Sequence, residues 1–366
     1  MEVRGAFLLL KSVPYVTHNC EIRHGVLISE LESARSVDSP LSNHTVWFEG
    51  EIPCDASGMS LASRLEPGGT PTAGERRGLG DGVYANFQFS RKPPSGYHDY
   101  HDKMTVYEDA ISRHARMLDP RVTARTFEVT ENQDSDSPFN YTDTASVHAQ
   151  IGVVNEKLKL GSVAIVGVGG TGSYILDLVA KTPVKEIHLF DDDKFGQHNA
   201  FRAPGAPSID TLRSSPLKVV YLKDVYSAMH RGIVAHTGID ETTVELLRSM
   251  EFVFLAMGAN PSRDLAVAKL KEYGVPFVDV GMGIFKESDA LGGTLRATFN
   301  ESILSTPGAD GGIYASNIQV ADLNALNAAL AVIKWKKIRG FYFDLSTFKE
   351  VTYQVESGAL IRTTED

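Results

Sequence analysis

The chain has 366 residues, of which 42% are hydrophobic and 22% are charged. These values are typical of proteins that bury hydrophobic cores, and they exclude a disordered or collagen-like chain. The 36 basic and 46 acidic residues give a net charge of −10, which argues against a nucleic-acid-binding surface. The length predicts two domains of ordinary size.

The sequence also argues against a membrane protein and against a secreted protein. No apolar stretch approaches the roughly 18 residues that cross a bilayer, and the apolar run near the N-terminus is short for a signal peptide. The two cysteines, Cys20 and Cys54, are too few for a disulfide framework and are not in a CxxC zinc pattern. We therefore expect a soluble, cytoplasmic protein without a membrane partner.

The first part of the chain, residues 1–129, has the pattern of a small α+β domain. Short β-like runs (GAFLLL, HTVWFEG and GVYANFQFS) come before a helical pattern, DYHDKMTVYEDAISRHARML. Residues 130–146 are polar, acidic and rich in turn formers, without a periodic apolar face. Such a composition predicts a linker.

Residues 147–366 alternate between strand and helix patterns. The run SVAIVGVGG predicts a strand, TGSYILDLVAKT a helix and EIHLFDDD a second strand, which together form a βαβ unit. Two further strand candidates, FVFLAM and VPFVDVGM, flank the helical stretch PSRDLAVAKLKEYG, and residues 317–336 are typical of a helix. The fold class is therefore predicted as α/β, with a Rossmann-like, mostly parallel sheet preceded by the smaller α+β domain.

A glycine loop between the first strand and helix of the βαβ unit is the strongest local signal. Glycines there allow a tight turn and a close approach to phosphate, and the positive end of the next helix attracts anions. About twenty residues further, the second strand ends at Asp191, where a carboxylate would bind a ribose. The predicted nucleotide-binding residues are Gly167, Gly169, Gly170, Gly172, Asp191 and Asp193.

A polar and cationic series follows this strand. Asn199, Arg202 and Lys218 come after the aspartates in that order. A hydride-transfer enzyme has no need of such a series, whereas an enzyme that attacks an α-phosphate needs cations where pyrophosphate leaves. We therefore assign these three residues as candidate catalytic residues.

Together these motifs resemble the adenylation domain of the ThiF, MoeB and ubiquitin-activating-enzyme superfamily. The family pattern is a GxGGxG loop, a DxD at the end of the second strand, an NxxR and a later lysine. The resemblance covers roughly residues 150 to 300. It implies ATP and Mg²⁺ as cofactors, activation of the C-terminal carboxylate of a bacterial ubiquitin-like protein, and a homodimer.

Three features depart from the family pattern. Ala203 replaces a glutamine, and Gly258 stands where the family has an aspartate that helps to hold magnesium. Unless Asp193 or Asp279 takes the metal, adenylation would be weak or lost. The domain also contains no cysteine that could receive the activated acyl group.

The N-terminal part resembles domains that are fused to activating domains in bacterial ubiquitin-like operons and that are diverged relatives of ubiquitin-conjugating enzymes. This resemblance implies that Cys54 accepts the acyl group, and His44, ten residues upstream, could lower its pKa. The resemblance lacks the conjugating enzymes' HPN order. An alternative use of Cys54 is a zinc site with His98, His101 and His114.

Two other functions remain open at this point. An NAD-dependent oxidoreductase would use the glycines and Asp191, but it gives no role to Gly170 or to the NxxR series. A degenerate activating domain would hold a ubiquitin-like tail without chemistry, and Gly258 is the residue that favours this alternative.

Overall fold

The computed structural model describes residues 1–32, 41–65, 76–126, 129, 131–132, 134–148, 151–300, 318–345 and 348–363. The chain divides into two compact units, Met1–Thr130 and Glu131–Asp366. Each unit has its own buried core, so each is described separately.

The first unit is built on an antiparallel sheet in the order β1-β2-β3-β4-β7, with a separate hairpin, β5-β6. Its elements are β1 (Glu2–Arg4), β2 (Phe7–Val16), β3 (Ile22–Glu30), β4 (Thr45–Glu49), α1 (Ala62–Leu65), β5 (Arg77–Gly80), β6 (Val83–Ala85), β7 (Phe87–Ser90) and α2 (Tyr100–Leu118). The predicted strands and the long helix are present, and β3 is an additional strand between β2 and β4.

The two faces of this sheet bury different residues because side chains alternate along a strand. Leu8 and Leu27 contribute to the core that includes Met104 and Ile111 of α2. Leu9 and Ile28 face the other way and pack with residues of the β5-β6 hairpin. The helix and the hairpin therefore belong to opposite faces of the sheet.

One charged side chain lies inside this unit. Lys103 of α2 is fully buried, and its ammonium donates to Ser29 Oγ at 2.9 Å and to the Asn43 carbonyl oxygen at 2.8 Å. Burial lowers the pKa of Lys103 to about 8, although Glu32 and Glu30 oppose the shift. The fold thus holds a cation whose charge is unfavourable where it lies.

The second unit contains an eight-stranded sheet in the order β10-β9-β8-β11-β12-β13-β14-β15. Its elements are α3 (Thr144–His148), α4 (Gly152–Asn155), a 3₁₀ turn (Glu156–Leu158), β8 (Ser162–Val166), α5 (Gly170–Val179), β9 (Glu186–Phe190), α6 (Gln197–Ala200), α7 (Ile209–Ser214), α8 (Lys218–Ser227), β10 (Ile233–His236), a second 3₁₀ stretch (Thr243–Ser249), β11 (Phe252–Leu255), α9 (Pro261–Tyr273), β12 (Phe277–Glu287), β13 (Ala290–Asn300), α10 (Ala321–Ile338), β14 (Glu350–Gln354) and β15 (Leu360–Thr363).

The parallel part of this sheet confirms the predicted Rossmann-like fold. Strands β10, β9, β8, β11 and β12 pair in parallel, and the strand and helix patterns of the sequence fall on β8, α5, β9, β11, α9, β12 and α10. From β12 onward the pairing is antiparallel through β13, β14 and β15. This extension follows from the long β12-β13 hairpin, which the sequence patterns did not predict.

Both faces of the parallel strands are covered. Val163 and Ile165 of β8 pack into the core that contains Trp335 of α10. Ala164 and Val166 face the opposite way, toward the core around α9. Burial on both faces explains why β8 has a continuous apolar sequence rather than an alternating one.

The polar segment after residue 130 belongs to the second unit and makes hydrogen bonds within it. Arg231 donates from Nη2 to the Asn132 carbonyl oxygen at 3.0 Å and from Nη1 to the Asp134 carbonyl oxygen at 3.2 Å. Its Nε donates to Asn140 Oδ1 at 3.1 Å, and Phe139 packs edge-on against His230. Asn140 Nδ2 also donates to the Ser227 carbonyl oxygen at 2.8 Å, so several contacts hold this part of the expected linker.

None of the described helices combines the length and the apolar character that crossing a bilayer requires.

Candidate nucleotide-binding site

The glycine loop leaves β8 through a turn that excludes side chains at two positions. Gly167 has a φ of +87°, and a Cβ added there would lie 2.6 Å from the Ala256 carbonyl oxygen. A Cβ at Gly172 would lie 1.9 Å from the Gly167 carbonyl oxygen. Because backbone atoms cause both clashes, these glycines are required for the turn itself.

Gly169 and Gly170 have different surroundings. A Cβ at Gly169 would meet no heavy atom of the described residues within 4 Å, so the backbone there is open to an approaching group. Helix α5 begins at Gly170, with Gly169 as an N-cap that offers no side-chain hydrogen bond. The first N–H groups of a helix carry partial positive charge, which suits a phosphate.

Asp191 joins the end of β9 to this loop. Its carboxylate accepts from the Val168 N–H at 2.9 Å and from the Asp193 N–H at 3.0 Å. Both oxygens also contact the Lys218 ammonium, at 3.2 Å from Oδ1 and 3.5 Å from Oδ2. The aspartate therefore fixes the glycine loop, and its expected bond to a ribose stays a prediction.

Lys218 neutralises the aspartates. Its ammonium lies 2.6 Å from Asp193 Oδ2 and 3.2 Å from Asp191 Oδ1, although the residue is only 5% exposed. The backbone N–H of Lys218 also donates to the Asp193 carbonyl oxygen at 2.9 Å. Lys218, the first residue of α8, thus places a buried cation beside the aspartates that follow β9, although it comes twenty-five residues after Asp193 in the chain.

Asn199 and Arg202 lie on the short helix α6 and the turn after it. Buried Asn199 accepts from the Gly196 N–H at Oδ1 (2.8 Å), and its carbonyl oxygen accepts from the Arg202 N–H at 3.1 Å. Burial lowers the pKa of the Arg202 guanidinium, while Asp193 opposes the shift. Asn199 therefore shapes the turn, and Arg202 places its charge near Asp193.

The structure thus gathers the predicted loop glycines, Asp191, Asp193, Lys218 and Arg202 at the carboxyl ends of β8 and β9. Strand β8 has β9 on one side and β11 on the other, so chain order reverses here. In open α/β sheets, ligands bind in the crevice at such a switch point. The predicted site residues therefore lie at this switch point, and nucleotide binding there stays a prediction.

Comparison with known protein families agrees with this geometry. Residues 141–286 match the model of the ThiF family, and residues 1–144 match a domain of unknown function, DUF6791. The match to the ThiF family model lies within the second unit. A comparison with curated proteins gave no match.

Several solved structures are similar to this chain at low identity. The E. coli MccB structure with ATP is 18% identical, with 58% of this chain and 66% of that chain covered and a TM-score of 0.45. E. coli MccB with selenomethionine MccA is 16% identical, with 73% and 82% covered and a TM-score of 0.48. Selenomethionine PaaA is 16% identical, with 76% and 92% covered and a TM-score of 0.49. The chain spans about two thirds of the MccB chain in several of these comparisons.

Two of three clustered aspartates are already paired with a cation. Among the described residues, one group of three or more metal-binding side chains has its ligand atoms within 4.8 Å of one another, namely Asp191, Asp192 and Asp193. Their oxygen atoms suit Mg²⁺ chemically, but the Lys218 ammonium contacts two of the three. The described residues therefore do not form a ready Mg²⁺ site here, and the expected use of Mg²⁺ stays a prediction.

Asp279 and Gly258 are the other positions considered for magnesium; Asp279 lies on β12 and Gly258 in the loop after β11. Asp279 is level with Leu255 at the end of β11, three residues before Gly258. Its Oδ2 accepts from Arg263 Nη2 at 2.7 Å and lies 3.7 Å from Arg296 Nη2. Burial raises the pKa of this carboxyl, although both arginines oppose the shift. Gly258 is exposed, and an added Cβ meets no described heavy atom within 4 Å.

In the first unit, Cys54 is buried and has acidic neighbours. Its thiol donates to the Ile52 carbonyl oxygen at 3.5 Å. Burial raises the pKa of Cys54, and Asp55, Cys20 and Glu51 raise it further. Such surroundings oppose formation of a nucleophilic thiolate.

His44 makes its described side-chain contact elsewhere, with Nε2 lying 3.1 Å from Ser90 Oγ. The roles of Cys54 as acyl acceptor and of His44 as its activator stay predictions. The histidines of the alternative zinc site do not join a metal-binding group among the described residues.

Asn324 is a site residue that the sequence analysis missed. It is fully buried on α10, accepts from Thr171 Oγ1 at 2.9 Å and donates to the Arg202 carbonyl oxygen at 3.3 Å. The available signal was an asparagine on the apolar side of a helical pattern, which no motif connects with a loop 153 residues upstream.

Proposed function

We propose that this chain is an ATP-dependent adenylating enzyme that activates a carboxylate as an acyl-adenylate. The observation that carries the proposal is the buried Lys218 ammonium between Asp191 and Asp193, beside the uncapped start of α5. A nicotinamide enzyme has no use for a buried cation there, whereas pyrophosphate release requires positive charge near the phosphates. The ThiF family match supports the same reaction class.

In this proposal, ATP places its phosphates against the glycine loop and its ribose near Asp191. Lys218 exchanges part of its contact with the aspartates for the phosphates, and Arg202 stabilises the charge that develops as the carboxylate attacks the α-phosphorus and pyrophosphate leaves. Mg²⁺ enters only as the ion that ATP carries. The substrate is the C-terminal carboxylate of a ubiquitin-like protein, as the motif resemblance implies, and the first unit would serve its later transfer.

The test is ATP–pyrophosphate exchange with a candidate ubiquitin-like protein, comparing the original chain with Arg202→Ala. We expect exchange in the original chain and a loss of at least about a hundredfold in the variant, the usual effect of removing one charge-stabilising group. The matched control is Arg213→Ala, since Arg213 is an exposed arginine of α7 paired only with exposed Asp210. No exchange by the original chain with any carboxylate substrate would refute the proposal.

A second function, binding of a protein tail without chemistry, is favoured by one specific observation. Gly258 replaces the family's aspartate, and the carboxylate of Asp279, another position considered for the metal, is occupied by Arg263. Because an added side chain at Gly258 meets open space, Gly258→Asp tests this alternative without a packing penalty. Exchange that appears only in Gly258→Asp would support the binding function, whereas exchange in the original chain excludes it.

A further inference from the structure

The side chain of Asn324, on α10, packs against Gly170 of the glycine loop. A Cβ at Gly170 would lie 2.2 Å from Asn324 Nδ2 and 2.7 Å from Asn324 Oδ1. The lack of a side chain at Gly170 therefore leaves room for the amide of Asn324. This contact gives Gly170 a role that neither the turn nor the open approach at Gly169 explains.

The amide of Asn324 is oriented by its two partners. Thr171 Oγ1 donates to Oδ1 at 2.9 Å, and Nδ2 donates to the Arg202 carbonyl oxygen at 3.3 Å. A flipped amide would place its oxygen against the Arg202 carbonyl oxygen, where two acceptors repel. One fully buried side chain thus connects the start of α5 with the turn that carries Arg202.

We propose that Asn324 is a positioning residue that fixes the glycine loop and Arg202 relative to each other in the arrangement that catalysis needs. This inference rests on the proposed adenylation. The first turn of α5 presents the N–H groups that would receive phosphate, and the turn after α6 presents the guanidinium. Since neither segment is bonded to the other directly among the described contacts, the amide carries the constraint between them.

The two halves of this constraint can be removed separately. Asn324→Asp keeps an acceptor for Thr171 but loses the donor to the Arg202 carbonyl oxygen, so Arg202 moves while the loop stays. Thr171→Val keeps the shape of the threonine but loses the hydroxyl, so the loop is released while the contact with Arg202 stays. A matched control is Asn327→Ala, since Asn327 is as buried one turn along α10 and donates to the Gly281 carbonyl oxygen at 3.1 Å.

The experiment measures ATP–pyrophosphate exchange, thermal stability and amide hydrogen exchange for the full-length chain and these three variants. We expect Asn324→Asp to lower kcat about tenfold and Thr171→Val to raise the KM for ATP about tenfold, the effect of one buried hydrogen bond. Asn327→Ala should lower the melting temperature without either kinetic change. Without nucleotide, Asn324→Asp should raise hydrogen exchange in residues 199–203, and Asn327→Ala should not.

Two outcomes would overturn the inference. If the original chain is active and Asn324→Asp cannot be distinguished from Asn327→Ala in kinetics and hydrogen exchange, the asparagine is only structural and the proposed function stands. If the original chain shows no exchange activity with any carboxylate substrate, the proposed function and this inference fall together.

Discussion

The environments of individual residues decide which of two cysteines can react. Cys54 is buried among acidic groups that raise its pKa, whereas Cys20 is exposed. A thiol reacts as the thiolate, so both burial and the raised pKa slow any reaction at Cys54. A role of Cys54 as acyl acceptor therefore requires that its surroundings open.

We predict that iodoacetamide at about pH 8 modifies Cys20 at least roughly ten times faster than Cys54, because the thiolate is the reacting species. The measurement is peptide mass spectrometry over time on the native chain, with the urea-unfolded chain as a control in which both thiols should react at similar rates. Equal rates in the native chain would contradict the described burial of Cys54.

The residues of the nucleotide site were largely predictable, because each lies within a short motif of fixed spacing. The glycines, Asp191, Asn199 and Arg202 follow one another along β8, α5, β9 and α6, so local order and local geometry coincide. Asn324 was not predictable, because its contacts depend on how α10 packs against α5 after a long separation in sequence. The pairing of Lys218 with both aspartates also required the structure, since the sequence gives only their order.

At the scale of elements, the β8–α5 connection separates two uses of glycine. Gly172 has no side chain because the Gly167 carbonyl oxygen lies where a Cβ would be, whereas Gly169 faces open space. Gly172 is needed to form the turn. Gly169 leaves room for a ligand to approach.

We predict that Gly172→Ala lowers the melting temperature by several degrees, whereas Gly169→Ala changes it little. A Cβ at Gly172 would meet backbone that cannot move freely, whereas a Cβ at Gly169 meets no described heavy atom within 4 Å. Both variants should lose affinity for an ATP analogue, measured by equilibrium binding. If Gly169→Ala unfolds as readily as Gly172→Ala, the proposed division between the two glycines is wrong.

The fold class could be predicted from the strand and helix patterns of the sequence, but the full eight-stranded sheet could not. Alternating strand and helix patterns predicted the parallel strands, because buried parallel strands have continuous apolar sequences. The antiparallel strands β13, β14 and β15 include many exposed or half-buried residues, so their patterns are weak. Their pairing is determined by the β12-β13 hairpin rather than by local hydrophobicity.

At the scale of the whole molecule, each of the two units has its own core, and the stability of the first unit should depend on pH through one buried lysine. The first unit buries Lys103, whose pKa falls to about 8. In the unfolded chain this amine has its ordinary pKa near about 10.4. Between these values the unfolded state binds more protons, so the contribution of Lys103 to stability rises with pH.

We predict that the unfolding free energy of the first unit, relative to that of Lys103→Met, increases from about pH 7.5 to about pH 9.5, since the folded chain loses its proton first. The slope is at most about 1.4 kcal/mol per pH unit, the value for one proton. The two tryptophans provide a reporter, because Trp47 belongs to the first unit and Trp335 to the second. The measurement is urea unfolding followed by Trp47 fluorescence in a Trp335→Phe background. If the difference in unfolding free energy between the original chain and Lys103→Met does not change across this pH range, the lowered pKa of Lys103 is refuted.

The open surroundings of Gly258 also have a consequence for how this chain could change over generations. Some glycine codons differ from an aspartate codon by a single base, and a Cβ added at this position meets no described heavy atom within 4 Å. From such a codon the carboxylate can be gained or lost in one mutational step. Packing at the Cβ opposes neither residue, so selection at this position is left to act on chemistry.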